Sequence, residues 1–293
     1  MNSTATKVGI MERMAREHPC YTEQARLNRG RIHLAVAPIC NLGCNYCERT
    51  VGPRARLVNG PGTAARVLSP EDAALLVDRV AAEGWLSVVG IAGPGEPLAN
   101  PQTFKALRLV RRNHPELLLC LSTNGLLLLQ KLDDLLASGV TALTITINAV
   151  SRSVAEQLYA WALLHGQREP RHIAAPVILD RQWSGLASAI ESGLLVKVNS
   201  VLVPGVNDGE LVEVARRAGQ LGAARHNIMP LIPRGRMQHI PPPDFTMVER
   251  VRAECERYLV QFRGCQQCRA DVIAPPMSLA QGVCRAQAAT TEA

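Results

Sequence analysis

The stretch RIHLAVAPICNLGCNYC, residues 31–47, decides the fold of this chain. Its first seven residues are mostly apolar, as expected of a strand that is covered on both faces of a parallel sheet. Cys40, Cys44 and Cys47 follow directly in a CxxxCxxC spacing. The three thiols therefore share one loop at the carboxyl end of a strand, where barrels built from βα units place their active sites.

Similar apolar runs recur along the chain and alternate with helical patterns. The predicted strands cover residues 32–37, 86–92, 117–123, 142–147, 195–202 and 225–229. One helix is predicted to begin with Ser69 as N-cap, Pro70 in the first turn and Asp72 completing a capping box. Other helical patterns cover residues 101–113, 208–221 and 246–262, and the segment 151–193, where Val154, Leu158, Trp161 and Leu164 recur at helical spacing.

This alternation predicts an α/β protein with about six βα units around a parallel sheet. We expect one domain with tails, namely a partial (β/α)6 TIM-like barrel over residues 31–232. Residues 1–30 form an N-terminal extension, and residues 233–293 form a C-terminal loop, helix and tail. Both extensions carry cysteines.

Composition and charge narrow the functional class. The formal charge is +7, but Arg and Lys are scattered among acidic residues, which favours a solvated basic surface over nucleic-acid binding. We find neither an apolar leader nor a run of about 18 apolar residues, so we expect a cytoplasmic protein without membrane contact. The nine cysteines, several at short spacings, indicate metal or redox chemistry rather than disulfides in a reducing compartment.

Three thiolates on one loop have a specific chemical meaning. They can hold three irons of a [4Fe–4S] cluster and leave the fourth iron open to a substrate, whereas a closed structural site needs a fourth ligand. One alternative is a zinc site that takes a ligand from elsewhere in the chain. Another is a redox-sensing binding protein without turnover.

The CxxxCxxC loop resembles that of the radical S-adenosylmethionine (SAM) superfamily, and other strand ends agree with this. The resemblance implies a cluster-bound SAM that is cleaved reductively, with Cys40, Cys44 and Cys47 as the cluster ligands. It also implies contacts to SAM from polar groups at the strand ends, of which those after the third and fourth strands are, each taken alone, equally well explained as turn residues. These candidates are Gly93, Gly95 and Glu96 after the second strand, Ser122, Thr123 and Asn124 after the third, Asn148 after the fourth, and Lys197, Asn199 and Ser200 on the fifth.

Longer strings resemble the NifB family of nitrogenase cofactor biosynthesis. They include HPCY (18–21), LCLSTNG (119–125), HNIMPL (226–231) and CQQCRAD (265–271). The resemblance implies one or two auxiliary [4Fe–4S] clusters, which are fused with insertion of a SAM-derived carbon. The implied auxiliary ligands are His18, Cys20, Cys120, Cys265 and Cys268, and His226 and Met229 are further cofactor-binding candidates.

These ligand assignments have alternatives. A lone cysteine within a strand, such as Cys120, is ordinarily a small core residue. Cys265 and Cys268 are also spaced like a zinc pair, and His18 reads equally well as a surface residue. Cys255 is expected to be structural, with Cys284 as a spare ligand.

One segment departs from the family pattern. Residues 48–66 lack the further cysteine and the Asn-Glu-Ser-Arg-Pro-Gly string that the family carries there. An alternative function is therefore a divergent radical SAM enzyme that modifies a peptide or small molecule with fewer auxiliary clusters. Either enzyme needs an electron donor, for which we expect a ferredoxin or flavodoxin, and cofactor assembly also implies iron–sulfur donor and cofactor-carrier proteins.

Overall fold

The computed structural model describes residues 3–280 and 285–286, so Cys284, the predicted spare ligand, lies outside the described residues. The strands are β1 Gly30–His33, β2 Leu42–Cys44, β3 Thr50–Val51, β4 Thr63–Ala64, β5 Leu86–Ile91, β6 Leu118–Thr123, β7 Ala142–Thr146, β8 Tyr159–Leu164, β9 Gln167–Pro170, β10 Leu195–Leu202, β11 Arg225–Pro230, β12 Val272–Ala274 and β13 Arg285–Ala286. The helices are α1 Ser3–Glu17, α2 Glu23–Asn28, α3 Pro70–Ala81, α4 Pro101–Asn113, α5 Leu128–Ala137, α6 Arg152–Leu158, α7 Arg171–Glu191, α8 Leu211–Leu221, α9 Phe245–Glu256 and α10 Met277–Ala280.

The main sheet has the order β11-β10-β7-β6-β5-β1-β12-β13. Neighbours from β11 to β1 are parallel, whereas β12 pairs antiparallel with β1 and β13 antiparallel with β12. The curled parallel part is a partial (β/α)6 barrel, which confirms the predicted fold class. Helices cover its outer face, because α3, α4, α5, α7 and α8 each bury an apolar stripe against the strands.

Most predicted elements are present. The six predicted strands correspond to β1, β5, β6, β7, β10 and β11, and Ser69 Oγ accepts the Asp72 amide as the N-cap of α3. The first strand is shorter than predicted, since its ladder ends at His33. Residues 34–37 remain buried, but the amide of Leu68 bonds the carbonyl of Ala35, and Ala37 bridges to Pro94. The amide of Leu34 still bonds the carbonyl of Gly90 in β5, and beyond Leu34 the chain is tied to loops.

The prediction of helix through residues 159–170 was wrong. Helix α6 ends at Leu158, and β8 and β9 then form an antiparallel hairpin turned by His165 and Gly166, both at positive φ. Two consecutive positive φ values are those of a type I′ hairpin turn. The hairpin also pairs with β2, so Trp161 lies opposite Gly43 on the cysteine loop. The crossover segment therefore supports that loop directly.

The last predicted helix, over residues 246–262, also ends early. Helix α9 stops at Glu256, and the following residues return to the edge of the sheet. The amide of Phe262 bonds the carbonyl of His226, and the amide of His226 bonds the carbonyl of Val260. These bonds to β11 compete with continuation of the helix. Within the described part of the chain, no helix combines the length and apolarity required to cross a membrane.

Candidate active site

The three cysteines line one side of a large cavity at the carboxyl ends of the strands. The cavity has a volume of about 850 Å³, near the upper end of the range of about 300–1,000 Å³ for small-molecule sites. Cys40 and Cys44 are partly buried, whereas Cys47 is exposed. Burial raises the pKa of Cys40 to about 11 and that of Cys44 well above its usual value. Without metal these thiols are protonated at neutral pH, so a bound metal must displace their protons.

Backbone contacts hold the cysteine loop against the Gly95 turn. The amide of Gly95 donates to the carbonyl of Ala37 at 2.6 Å, and the amide of Glu96 donates to that of Ile39 at 2.8 Å. The amide group of Asn100 bonds both the N–H and the carbonyl of Ile39. A Cβ on Gly95 would lie 2.3 Å from the Ile39 oxygen, so glycine is required for this approach.

Replacement of Gly95 by alanine is expected to destabilise the protein by about 1–3 kcal/mol, because the added methyl meets backbone that cannot rotate away. The free energy of unfolding in urea measures this. Gly209→Ala is the matched control, since a Cβ there meets nothing within 4 Å. Equal stability of the two variants would contradict the close approach.

The carboxylate of Glu96 lies beside this loop and accepts three hydrogen bonds. Thr123 Oγ1 donates at 2.6 Å, the amide of Asn124 at 2.7 Å and the amide of Leu98 at 3.0 Å. Desolvation raises the pKa of Glu96 to about 7 despite these donors. The carboxylate is thus oriented at the cavity wall and gains from a cationic partner.

A second group of potential ligands lies deeper in the same cavity. We call it the inner chamber, and it comprises His18, Cys20, Arg31, His33, Cys120, Lys197 and Cys268. Desolvation alone would raise the pKa of Cys20, but the positive charges of Arg31 and Lys197 and a hydrogen bond with His18 lower it to about 5. Burial raises the pKa of Cys120 to about 12. One thiol is therefore already a thiolate, while the other needs a metal to lose its proton.

His33 was not among the residues predicted from the sequence. Its side chain lines the cavity, and Nδ1 lies 3.2 Å from the carbonyl oxygen of Arg269. Because a carbonyl only accepts, Nδ1 carries the proton and Nε2 keeps its lone pair. Desolvation lowers the pKa of His33 to about 4, so the ring is neutral. A neutral imidazole with the opposite nitrogen anchored on backbone is typical of a metal ligand.

The N-terminal segment closes the inner chamber from below. An apolar cluster of Met14, Tyr21, Val88, Leu118, Ala142 and Leu195 packs there, with α1 contributing Met14. Lys197 Nζ lies above this floor, 5.8 Å from the ring centre of Tyr21 and 5.1 Å from that of Phe262. Lys197 and Arg31 are each about 6% exposed. The chamber is thus a water-poor space with two buried cations, suited to an anionic guest.

The C-terminal tail brings Cys265 and Cys268 to the cavity. A guanidinium nitrogen of Arg31 lies 3.1 Å from Cys268 Sγ. Arg269 forms a buried double contact with Asp271, at 2.8 and 2.9 Å, and its guanidinium also bonds the carbonyls of Ala55 and Val58. This pair fixes the tail to the segment that follows the cysteine loop.

Not every predicted site residue reaches the cavity. The lining includes Gly95, Glu96, Ser122, Thr123, Asn124, Lys197, Asn199, Met229, His18, Cys20, Cys120, Cys265 and Cys268. Gly93 does not line the cavity wall. Ser200 and His226 point to the outer face of the sheet, where Ser200 Oγ and His226 Nε2 lie 2.9 Å apart, because alternate residues of a strand face opposite sides.

Asn148 is the remaining exception, and its side chain is structural. Its amide nitrogen donates to the hydroxyls of Tyr46 and Tyr159, and its oxygen accepts the amide of Val201. Tyr46 itself lines the cavity between Cys44 and Cys47 and was not predicted. Among the residues that the structure describes, no three His, Cys, Asp or Glu side chains are grouped to hold a single metal ion.

Comparison with known proteins agrees with this arrangement. The model of the radical SAM superfamily matches residues 34–218, which include the cysteine loop and the Glu96 turn. The fold resembles that of SuiB from Streptococcus suis (TM-score 0.56, 14% identity, covering 82% of this chain and 51% of that one). It also resembles a radical SAM methyltransferase from Sphaerobacter thermophilus (0.51, 20%, covering 80% and 64%). The chain therefore belongs to the radical SAM superfamily.

Within that superfamily the chain belongs to the NifB family. It is 37% identical over 268 residues to the FeMo cofactor biosynthesis protein NifB of Methanocaldococcus jannaschii, covering 91% of this chain and 89% of that protein. It is 44% identical over 267 residues to the protein of the same name from Klebsiella pneumoniae, covering 88% of this chain and 57% of that protein. The chain thus spans little more than half the length of several curated relatives that it matches.

The superfamily implies a [4Fe–4S] cluster and SAM, and the residues present fit both. Three thiols that need a metal to lose their protons surround one end of the cavity. A buried, oriented carboxylate lies beside them. The three thiols would hold three irons of a cluster, and the carboxylate of Glu96 would match the ammonium group of SAM.

Proposed function

We propose that this chain is a radical SAM enzyme of FeMo cofactor biosynthesis, which fuses two [4Fe–4S] substrate clusters and inserts a SAM-derived carbon. The inner chamber is the single observation that carries the proposal. SAM cleavage alone needs three thiols, yet the cavity contains four further cysteines, Cys20, Cys120, Cys265 and Cys268, and the neutral imidazole of His33. The named relatives act in the biosynthesis of such a cofactor.

The residues at the outer end bind and orient SAM. Cys40, Cys44 and Cys47 hold the resident cluster, which supplies the electron that splits SAM into methionine and a 5′-deoxyadenosyl radical. The carboxylate of Glu96 holds the ammonium group of the methionine moiety. Ser122, Asn124 and Asn199 line the wall between the two ends and offer hydrogen bonds to the polar groups of SAM. The apolar floor keeps water from the inner end.

The inner residues receive the substrate clusters. Cys20 offers a thiolate first, because its pKa is already about 5, and Cys120 and His33 complete one side of the chamber. The charges of Arg31 and Lys197 favour an anionic cluster over a neutral guest. Cys265 and Cys268 offer ligands from the tail, whereas residues 48–66 offer no cysteine.

Radioactive SAM labelled on the methyl carbon tests the proposal. The reconstituted protein is expected to transfer label to an acid-labile iron–sulfur product that activates cofactor-free dinitrogenase in an assembly extract. Cys120→Ala is expected to abolish the labelled product while 5′-deoxyadenosine still forms. The matched control is Cys255→Ala, because Cys255 is buried on α9 and does not line the cavity. Label in a peptide or small molecule instead would contradict the proposal and support the divergent enzyme.

The raised pKa of Glu96 predicts a pH dependence of SAM binding. Only the carboxylate attracts the ammonium group, so affinity is expected to rise with pH through about 7. The dissociation constant of SAM, measured by equilibrium dialysis, should be roughly five- to tenfold higher at pH 6 than at pH 8. Glu96→Gln should bind SAM weakly and equally at both pH values. A wild-type constant that does not change between pH 6 and 8 would contradict this role.

A further inference from the structure

The outer rim of the cavity has a charge pattern that the binding of SAM and clusters leaves unexplained. We call it the Cys47 rim, and it consists of the segments 45–59 and 232–238. The two segments carry five arginines and one carboxylate, Glu48. The rest of the chain mixes the two signs far more evenly, with 27 of the 32 Lys and Arg against 24 of the 25 Asp and Glu. Arg49, Arg234 and Arg236 line the cavity itself, so positive charge is concentrated on this part of its wall.

Specific contacts bring the two segments together. The amide of Arg236 donates to the carbonyl of Asn45 at 2.9 Å, and the guanidinium of Arg234 bonds the carbonyl of Asn59. A Cβ on Gly235 would lie 3.0 Å from the carbonyl oxygen of Cys47. The loop 232–238 thus packs directly on the cysteine loop, so its charges lie beside the cluster ligands.

The rim is accessible and partly apolar. Cys47 is the exposed member of the three cluster cysteines, and Arg54 and Arg236 are exposed as well. Two apolar side chains near Cys47 in sequence are exposed, Ile39 to 59% and Val51, which also lines the cavity, to 46%. Apolar groups at the centre with charges around them are the usual make-up of a protein interface.

We propose that the Cys47 rim docks an acidic one-electron carrier protein of the flavodoxin type, a partner for the proposed radical reaction, on which this inference rests. Positive rim charges attract a negative carrier surface, and docking there places its redox centre close to the cluster at its most exposed ligand. The carrier loses one electron for each SAM whose carbon–sulfur bond breaks. That electron reduces the sulfonium to the thioether of methionine and leaves the 5′-deoxyadenosyl radical.

Steady-state formation of 5′-deoxyadenosine tests the docking surface with two reductants, flavodoxin hydroquinone at varied concentration and dithionite. The test variant is Arg54→Glu/Arg236→Glu. Its matched control is Arg108→Glu/Arg112→Glu, which makes the same change of charge on exposed positions of α4, remote from the rim. At low ionic strength the KM for flavodoxin is expected to rise about tenfold in the test variant only, and less in high salt.

The rate of 5′-deoxyadenosine formation with dithionite distinguishes failure of the docking surface from failure of the proposed function. An unchanged dithionite rate in the test variant shows that the fold and the reaction are intact. Equal KM values for flavodoxin in the test and control variants would overturn the docking surface, whether KM stays at the wild-type value or rises in both. Absence of 5′-deoxyadenosine from the wild-type protein with dithionite would instead overturn the proposed function.

Discussion

Cys44→Ala is expected to form no detectable 5′-deoxyadenosine from SAM and dithionite. Cys44 lies in β2, paired with the β8 hairpin, and its thiol is one of only three in the CxxxCxxC loop. With only two thiolates left, one of the three irons anchored by the loop has no protein ligand, and we expect the whole four-iron cluster to be lost. Iron bound after anaerobic reconstitution should therefore fall by about four per chain. Iron analysis and chromatography of the nucleoside products measure both effects.

Cys255→Ala provides the comparison. Cys255 is fully buried, and its sulfur contacts the carbonyl of Leu211 at 3.4 Å, far in sequence from the cysteine loop. Loss of this thiol is expected to leave iron content and SAM cleavage unchanged, with a stability loss of about 1 kcal/mol from the small cavity. If Cys44→Ala retained cleavage, or if Cys255→Ala lost it, the assignment of the resident cluster would be wrong.

Asp271→Asn is expected to lower the free energy of unfolding by about 3–5 kcal/mol, because it leaves the buried guanidinium of Arg269 without its countercharge. Asp271 is fully buried and also accepts the amide of Ala65. Urea unfolding measures the loss. The segments that the Arg269–Asp271 pair holds together include Cys268 and the residues after the cysteine loop. The iron content is therefore expected to fall together with the stability.

Asp134→Asn is the matched control, since Asp134 pairs with Lys131 on the exposed surface of α5. Exposed pairs contribute little, and the change should stay within about 0.5 kcal/mol. If Asp271→Asn lowered the free energy of unfolding by no more than Asp134→Asn does, the contact with Arg269 would not hold the tail in place.

The sequence predicted the sheet and the cysteine loop well, for physical reasons. Strands buried on both faces must be apolar throughout, so β5, β6, β7 and β10 are recognisable as continuous runs. Parallel strands also collect their carboxyl ends at one edge, so Glu96 and Thr123 were expected near the cysteines. The structure brings them there, with the Thr123 hydroxyl on the Glu96 carboxylate.

Residues whose position depends on long-range pairing were harder to predict. The β8–β9 hairpin has helical spacing of apolar residues, and only its pairing with β2 decides in favour of strand. His33 was missed because it lies within an apolar strand, and its role depends on a contact with Arg269 in the distant tail. The alternation of side chains along β11 could, however, have shown from the sequence that His226 and Met229 face opposite sides of the sheet. His226 and Met229 differ by an odd number of positions, so one strand cannot direct both into the cavity.

Iron per chain after anaerobic reconstitution, measured together with 5′-deoxyadenosine formation, distinguishes a protein with three bound clusters from one with a single cluster. We expect about twelve irons and SAM cleavage, because the outer loop holds one four-iron cluster and the inner chamber and tail receive two more. About four irons with SAM cleavage would contradict this expectation, since the inner cysteines and His33 would then hold no cluster.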